Sequence, residues 1–207
     1  MNIHSLHHYL TNLSESEEHY RSGYPFSGWS QLPKVQIHGR EMYRMFPDNL
    51  IFSSMHGENP VSSQNFDIPV GLQDISIKRN SRFNPVPEHV HSHIEINYVY
   101  SGTCPQYIDG KPVLLKKDQV LLIDTDCPHS IDALGENDIM ISMLIRKEFL
   151  RDRMFSQFSK DSVLSRFFVN ALTEQTDHDH YLLFHSEKDR RIPLFFSELF
   201  CEFLLSL

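Results

Sequence analysis

The run His89-Val90-His91-Ser92-His93-Ile94-Glu95, followed after six residues by Gly102, constrains this chain more than any other feature. His89 and His91 are two apart, so on a β-strand both rings project from one face. The surrounding texture is that of short strands. Ile75 and Ile77 alternate with Ser76 and Lys78, as on a half-buried strand. Arg82–Pro87 is a proline-stiffened, extended approach. Glu95–Tyr100 reads as a strand ended by Ser101-Gly102. Tyr107-Ile108 and Val113–Leu115 flank an Asp109-Gly110 turn, the signature of a hairpin. Gln119–Ile123, Ser130–Ala133 and Asp138–Ile145 continue the series. Many short strands with turns between them predict an antiparallel barrel or sandwich over residues 73–145.

The flanks differ. Ile3, Leu6, Leu10 and Leu13 predict a helix within residues 1–21, which the polar stretch Ser14–Glu18 could end early. Five prolines break residues 22–72, where short strands at Lys34–His38 and Leu50–Ser53 are expected. Residues 1–72 thus form an N-terminal extension that can pack on the barrel. After Arg146 the period changes to that of helices. Phe149, Leu150, Met154, Phe155 and Phe158 mark one, and Ser162 caps a second through Leu172. Tyr181–Phe184 can return as a strand, and a last helix starts near Asp189 with Pro193 in its first turn. Its Ile192, Phe196, Leu199, Phe203 and Leu207 form an apolar stripe, broadened by Phe195, Phe200 and Leu204. Residues 146–207 are therefore read as a helical dimerisation or linker region, with a homodimer through the final helix.

The formal charge of -8 sets the chain against phosphate, so DNA binding by these residues alone is not expected. No stretch approaches the ~20 apolar residues of a membrane span, and the N-terminus lacks a signal peptide's basic start and apolar run. Cys104, Cys127 and Cys201 are odd in number and have no metal-like spacing. Free thiols in a reducing cytoplasm follow.

The His89/His91/Glu95/Gly102 spacing matches the first motif of the cupins, and Gln119–Ile123, the turn Asp124–Pro128 and His129 follow the layout of the second. Asp118 and Asp126 stand where that family usually has glycines, and Asp124 where it has proline, which implies a locally different turn. With Ile96-Asn97-Tyr98-Val99-Tyr100 after Glu95, the chain resembles the sensing domain of AraC-type transcription regulators. The resemblance spans about Ile75 to Ile145 and implies a mainly β fold with appended helices: a jelly-roll barrel that binds a small effector, helices that dimerise, and a separate C-terminal helix-turn-helix domain through which alone DNA would be contacted. These 207 residues contain no such domain.

His89, His91, Glu95 and His129 are the candidate site, and Tyr107 a candidate ligand-stacking aromatic beside Tyr98 and Tyr100. Imidazoles with a carboxylate suit Zn, Ni or Fe. On a straight strand His91 and Glu95 would lie roughly 13 Å apart, so one ion requires a bend between them. His93 has the same parity and stays a candidate ligand. The competing reading is a polar effector pocket without metal, as is usual for the AraC-type family. Two functions follow: a non-enzymatic sensor, favoured by the helical tail, or a metal-dependent cupin enzyme of oxygenase or isomerase type.

Overall fold

A computed structural model describes residues 2–45, 74–154, 162–173 and 179–205. Two short helices open the chain. In α1 (Ile3–Thr11) the Asn2 side chain accepts the Ser5 N–H. α2 (Glu15–Arg21) begins in a reciprocal box: Ser14 Oγ accepts the Glu17 N–H, and the Glu17 carboxylate accepts the Ser14 N–H. The N-terminal helical segment is therefore split in two, because Ser14 and Glu17 cap a new helix rather than extend the old one.

The strands are β1 (Lys34–Ile37), β2 (Arg40–Arg44), β3 (Ile75–Arg79), β4 (Val86–Val90), β5 (His93–Ser101), β6 (Thr103–Ile108), β7 (Lys111–Lys116), β8 (Val120–Ile123), β9 (His129–Ile131), β10 (Ile139–Arg146) and β11 (Tyr181–Phe184). They form a six-stranded sheet, β1-β2-β4-β9-β6-β7, and a five-stranded sheet, β11-β8-β5-β10-β3. The neighbours pair antiparallel except β2 with β4, which are parallel. Asp109 and Gly110 turn the β6–β7 hairpin, both at positive φ. The architecture is the expected one: mainly β, a jelly-roll barrel of largely antiparallel strands followed by helices. The strand expected at Leu50–Ser53 lies outside the described residues.

Alternation along the strands sorts side chains onto two cores. Val99, Leu121, Ile123 and Met140 of the five-stranded sheet meet Cys104, Ile108, Val113, Leu115 and Ile131 of the other, filling the barrel. The opposite face of the five-stranded sheet, with Ile77, Ile94, Tyr98, Leu122, Ile141 and Met143, carries the helices. These are α1, the short α3 (Lys147–Phe149) that continues as a π-turn over Leu150–Met154, α4 (Val163–Thr173) and α5 (Arg191–Leu205). Ser162 accepts the Ser165 N–H at the start of α4. Region 146–207 is not wholly helical, since β11 pairs with β8 and extends the barrel sheet.

Residues 2–45 of the N-terminal extension pack on the barrel. Leu6 and Leu10 are fully buried in the sheet–helix core. Glu17 is sealed between Arg79 and Arg82, at 2.8 and 3.0 Å. The same arginines donate to the Leu10, Thr11 and Asn12 carbonyls. Burial by itself would raise the Glu17 carboxyl. The hydrogen bonds from Arg82 and the Ser14 and Arg82 backbone, with the Arg79 charge, outweigh it and hold Glu17 below its ordinary value.

The last helix departs from the expected dimer stripe. Phe196 and Phe200 are buried against the barrel, and Ile192 and Leu199 pack beside them. Leu194 and Phe195 are instead exposed, at 56% and 58%. The stripe serves its own barrel because the outer face of the five-stranded sheet would otherwise be left in water. Phe203, Leu204 and Leu207 fall outside the described side chains.

Candidate functional site

The required bend exists. β4 ends at Val90 in one sheet and β5 begins at His93 in the other, so the chain crosses the barrel at His91-Ser92. This crossing folds His91 back onto Glu95, and His91 Nε2 lies 2.8 Å from Glu95 Oε2. His129 Nε2 lies 3.2 Å from the same oxygen. His89 and His129 are direct cross-strand partners of β4 and β9, with ring centroids 4.1 Å apart. One candidate ligand atom from each of the four residues falls within 4.8 Å of the others, and all four residues are buried. His93, which the sequence left open, opens β5 opposite Arg146 and is not in this group. Its carbonyl instead holds the His91 ring.

The tautomers are set by the backbone. The Nδ1 atoms of His89, His91 and His129 lie 2.9, 3.0 and 2.8 Å from the carbonyls of Pro87, His93 and Cys127. A carbonyl only accepts, so each Nδ1 carries the proton and each Nε2 is left as a lone pair in the neutral ring. Those of His91 and His129 then face a carboxylate oxygen, which is also an acceptor. The cluster needs a positive centre, supplied by protons or by a metal ion. Ring N–H groups held on backbone carbonyls are the usual outer support of metal-bound histidines. Three nitrogens and one oxygen match zinc, nickel or iron. Bonds of about 2.0–2.2 Å set ligand atoms roughly 3–4 Å apart, so an ion would draw together atoms that now spread up to 4.8 Å.

Electrostatics agree. Burial alone would raise the Glu95 carboxyl, but a positive centre beside it, such as a proton on His129 or His91 that is donated to it, holds it well below the usual carboxylate range. Burial pushes His89 well below its ordinary value, and the neighbouring His129 and His91 push the same way. Burial likewise lowers His91, against the pull of Glu95. Deprotonated imidazoles and an ionised carboxylate are the states a metal takes.

Residues 77–145 match the family model of the AraC-like ligand binding domain. That match covers a third of the chain, and over it the chain is similar to AraC-like ligand-binding domains. No curated protein sequence matches the chain. Among solved structures, ToxT from Vibrio cholerae is 13% identical over 64% of this chain and 53% of its own, with a TM-score of 0.40. A cupin 2 conserved barrel domain protein from Leptotrichia buccalis is 24% identical over 40% and 39%, at 0.34. KdgF from Halomonas sp. is 20% identical over 38% and 76%, also at 0.34. The chain thus spans about half of ToxT and less of the Leptotrichia protein.

Two expectations are corrected. Tyr107 points outward from β6, 43% exposed, because it alternates with Gln106 and Ile108, which face in. It does not meet the four clustered residues. The turns around the second motif are not different in backbone. Asp118 and Asp126 have φ of 65° and 55°, the left-handed conformation that glycine would supply. Aspartate tolerates it, and here each finds a partner: Asp118 accepts from the Tyr98 hydroxyl, and Asp126 pairs with Arg44.

Sequence reading missed Asn97 and Gln106, both buried on the barrel's inner face. The signal was available: Asn97 shares the parity of Glu95, and Gln106 that of Cys104 and Ile108. Cys104 and Cys127 are free thiols, each pushed up to about 12 by burial, and offer no reactive thiolate at neutral pH. Among the described residues no helix is long and apolar enough to cross a membrane.

Proposed function

We propose that the chain is the sensing domain of an AraC-type transcription regulator, whose barrel takes a small effector at a metal ion held by His89, His91, Glu95 and His129. The observation that carries this reading is the set of three rings pinned by backbone carbonyls around one buried carboxylate. A metal there would supply a Lewis-acidic site for an effector oxygen. The protein's own part is to orient the rings, keep the Nε2 atoms unprotonated and exclude bulk water.

The output side rests on β5. Glu95 and Asn97 face the barrel interior, while Ile94 and Tyr98 face the helices. The strand that bears the ligand thus also bears α5, so a shift of β5 on binding moves the helix. α5 would present Leu194 and Phe195 to a second copy, and DNA would be contacted through a helix-turn-helix domain joined to this one, in the cytoplasm. The domain is then a sensor and not an enzyme. The second reading, a metal-dependent cupin enzyme, draws on the same His/Glu cluster.

Metal analysis of the purified chain combined with a mobility-shift assay tests the proposal. One equivalent of zinc, nickel or iron, lost in His91→Ala, with no salt-sensitive DNA binding by these residues alone, is the expected result. A chain that stays metal-free in all three ions, or that binds DNA sequence-specifically by itself, overturns it. Conversion of small carbonyl or phenolic compounds by the loaded protein would favour the enzyme. Sedimentation of Phe195→Glu against the unmodified chain tests the dimer: equal molecular masses would remove that face from the assembly.

A further inference from the structure

Beyond the metal cluster the barrel interior holds two polar atoms with unmet valences. Asn97 Nδ2 and Gln106 Oε1 have no hydrogen-bond partner, in side chains 0% and 1% exposed. An amide group buried without a partner loses its hydration uncompensated, and folded proteins rarely leave one. Neither is an arbitrary choice of amide orientation. Asn80 donates to Ser142 Oγ, and the single Ser142 proton goes to Asn97 Oδ1. The Asn97 oxygen is therefore occupied and its N–H₂ faces elsewhere. Gln106 Nε2 lies 3.0 Å from Met140 Sδ and 3.4 Å from Cys104 Sγ, which accept weakly, and this leaves its oxygen open.

Register places both beside the cluster. Asn97 is one pleat step beyond Glu95 on β5. Gln106 sits opposite Ile131, which is one pleat step beyond His129 on β9. Gln106 reaches across the barrel to Met140, whose strand also carries Ser142, the partner of Asn97. Register thus puts a donor and an acceptor one pleat step beyond the cluster, one from each sheet. One small group satisfies both: a hydroxyl, which accepts from Asn97 and donates to Gln106.

We infer that Asn97 and Gln106 are the specificity-determining residues of the effector site, and that the effector is a hydroxylated small molecule whose neighbouring oxygen lies on the metal cluster. This rests on the sensor reading above. Lys78 on β3 is half-buried and is the register partner of Ser142 on β10, the residue bonded to Asn97. The oxygen next to the hydroxyl can therefore belong to a carboxylate as well as to an alcohol, and matched probes separate the two.

The test uses the cobalt-loaded chain, whose visible spectrum reports metal ligation, with two pairs of probes that differ by one hydroxyl: lactate against propionate, and 1,2-propanediol against 1-propanol. In at least one pair the hydroxylated member is expected to bind ten times more tightly or better. Gln106→Met is expected to abolish that preference while keeping the cobalt spectrum and the melting temperature of the probe-free protein. A preference for lactate over the diol identifies a hydroxy acid, and the reverse a neutral alcohol. Asn97→Leu, which also strands Ser142, should lose the same preference at a lower melting temperature. The assignment is overturned if the hydroxyl makes no difference in either pair, if its advantage survives Gln106→Met, or if that substitution lowers the melting temperature as a structural amide would. Failure to bind cobalt at all would instead sink the sensor-and-metal reading, and is told apart by the missing spectrum.

Discussion

The rings of Tyr98 and Phe196 stack with centroids 4.3 Å apart and planes 7° from parallel. Tyr98 lies on β5, three residues from the Glu95 carboxylate of the candidate site, and Phe196 on α5. The contact joins the candidate site's strand to the last helix, and the Tyr98 hydroxyl is in turn anchored on Asp118. Phe196→Ala should cost about 3–5 kcal/mol, the usual loss for a buried phenylalanine. Urea unfolding measures it. A loss near zero would mean that α5 rests on β5 without depending on it.

His91→Ala should abolish binding of one divalent ion while leaving the barrel folded. The imidazole is one of four donors, and a site of this size rarely survives losing one. Isothermal titration with zinc and circular dichroism together check this. Unchanged zinc affinity would place the ion elsewhere or leave the cluster metal-free.

Glu17 gives the acid limb of stability a particular origin. Its carboxyl is lowered in the folded chain, so the unfolded chain binds more protons in acid. The stabilisation is complete above the unfolded value of roughly 4.3 and is lost as pH falls through the lowered folded value. Glu17→Gln should flatten this part of the pH–stability curve. It should also cost about 3–5 kcal/mol at neutral pH, because Arg79 and Arg82 lose their buried counter-charge. Denaturant midpoints from pH 3 to 7 decide it; parallel curves for the two proteins would refute the role.

Gly102 and Asp118 separate two uses of left-handed backbone. Gly102 has φ of 70°, and a Cβ there would run into Asp138, whose carboxylate accepts the Thr103 and Gly135 N–H groups. Gly102→Ala should therefore destabilise by about 1–3 kcal/mol and disturb that loop. Asp118→Gly keeps the conformation and loses only the Tyr98 hydrogen bond, so it should cost about 0.5–1.5 kcal/mol. Thermal melts of the pair test the order, and equal losses would contradict it.

Local sequence was enough for much of this. The strand alternation, the Asp109-Gly110 hairpin and the His89/His91/Glu95 spacing reflect short-range rules: side chains alternate along a strand, and tight turns need residues that tolerate positive φ. The need for a bend between His91 and Glu95 followed from strand rise alone. Sequence determined that these residues would line a β interior and which atoms could act as ligands.

Tertiary structure decided the rest. His129 was nameable from the layout of the second motif, but its meeting with His89 is a contact between strands forty residues apart that only the assembled sheet makes. The direction of the α5 stripe was ambiguous, because an apolar helix face looks the same whether it covers its own barrel or a partner. Only the exposed outer face of the five-stranded sheet, once assembled, assigned Phe196 and Phe200 inward and left Leu194 and Phe195 outside. The unmet amides of Asn97 and Gln106 are likewise a property of the closed barrel. A polar side chain lacks a partner only when every neighbour, from both sheets, is in place.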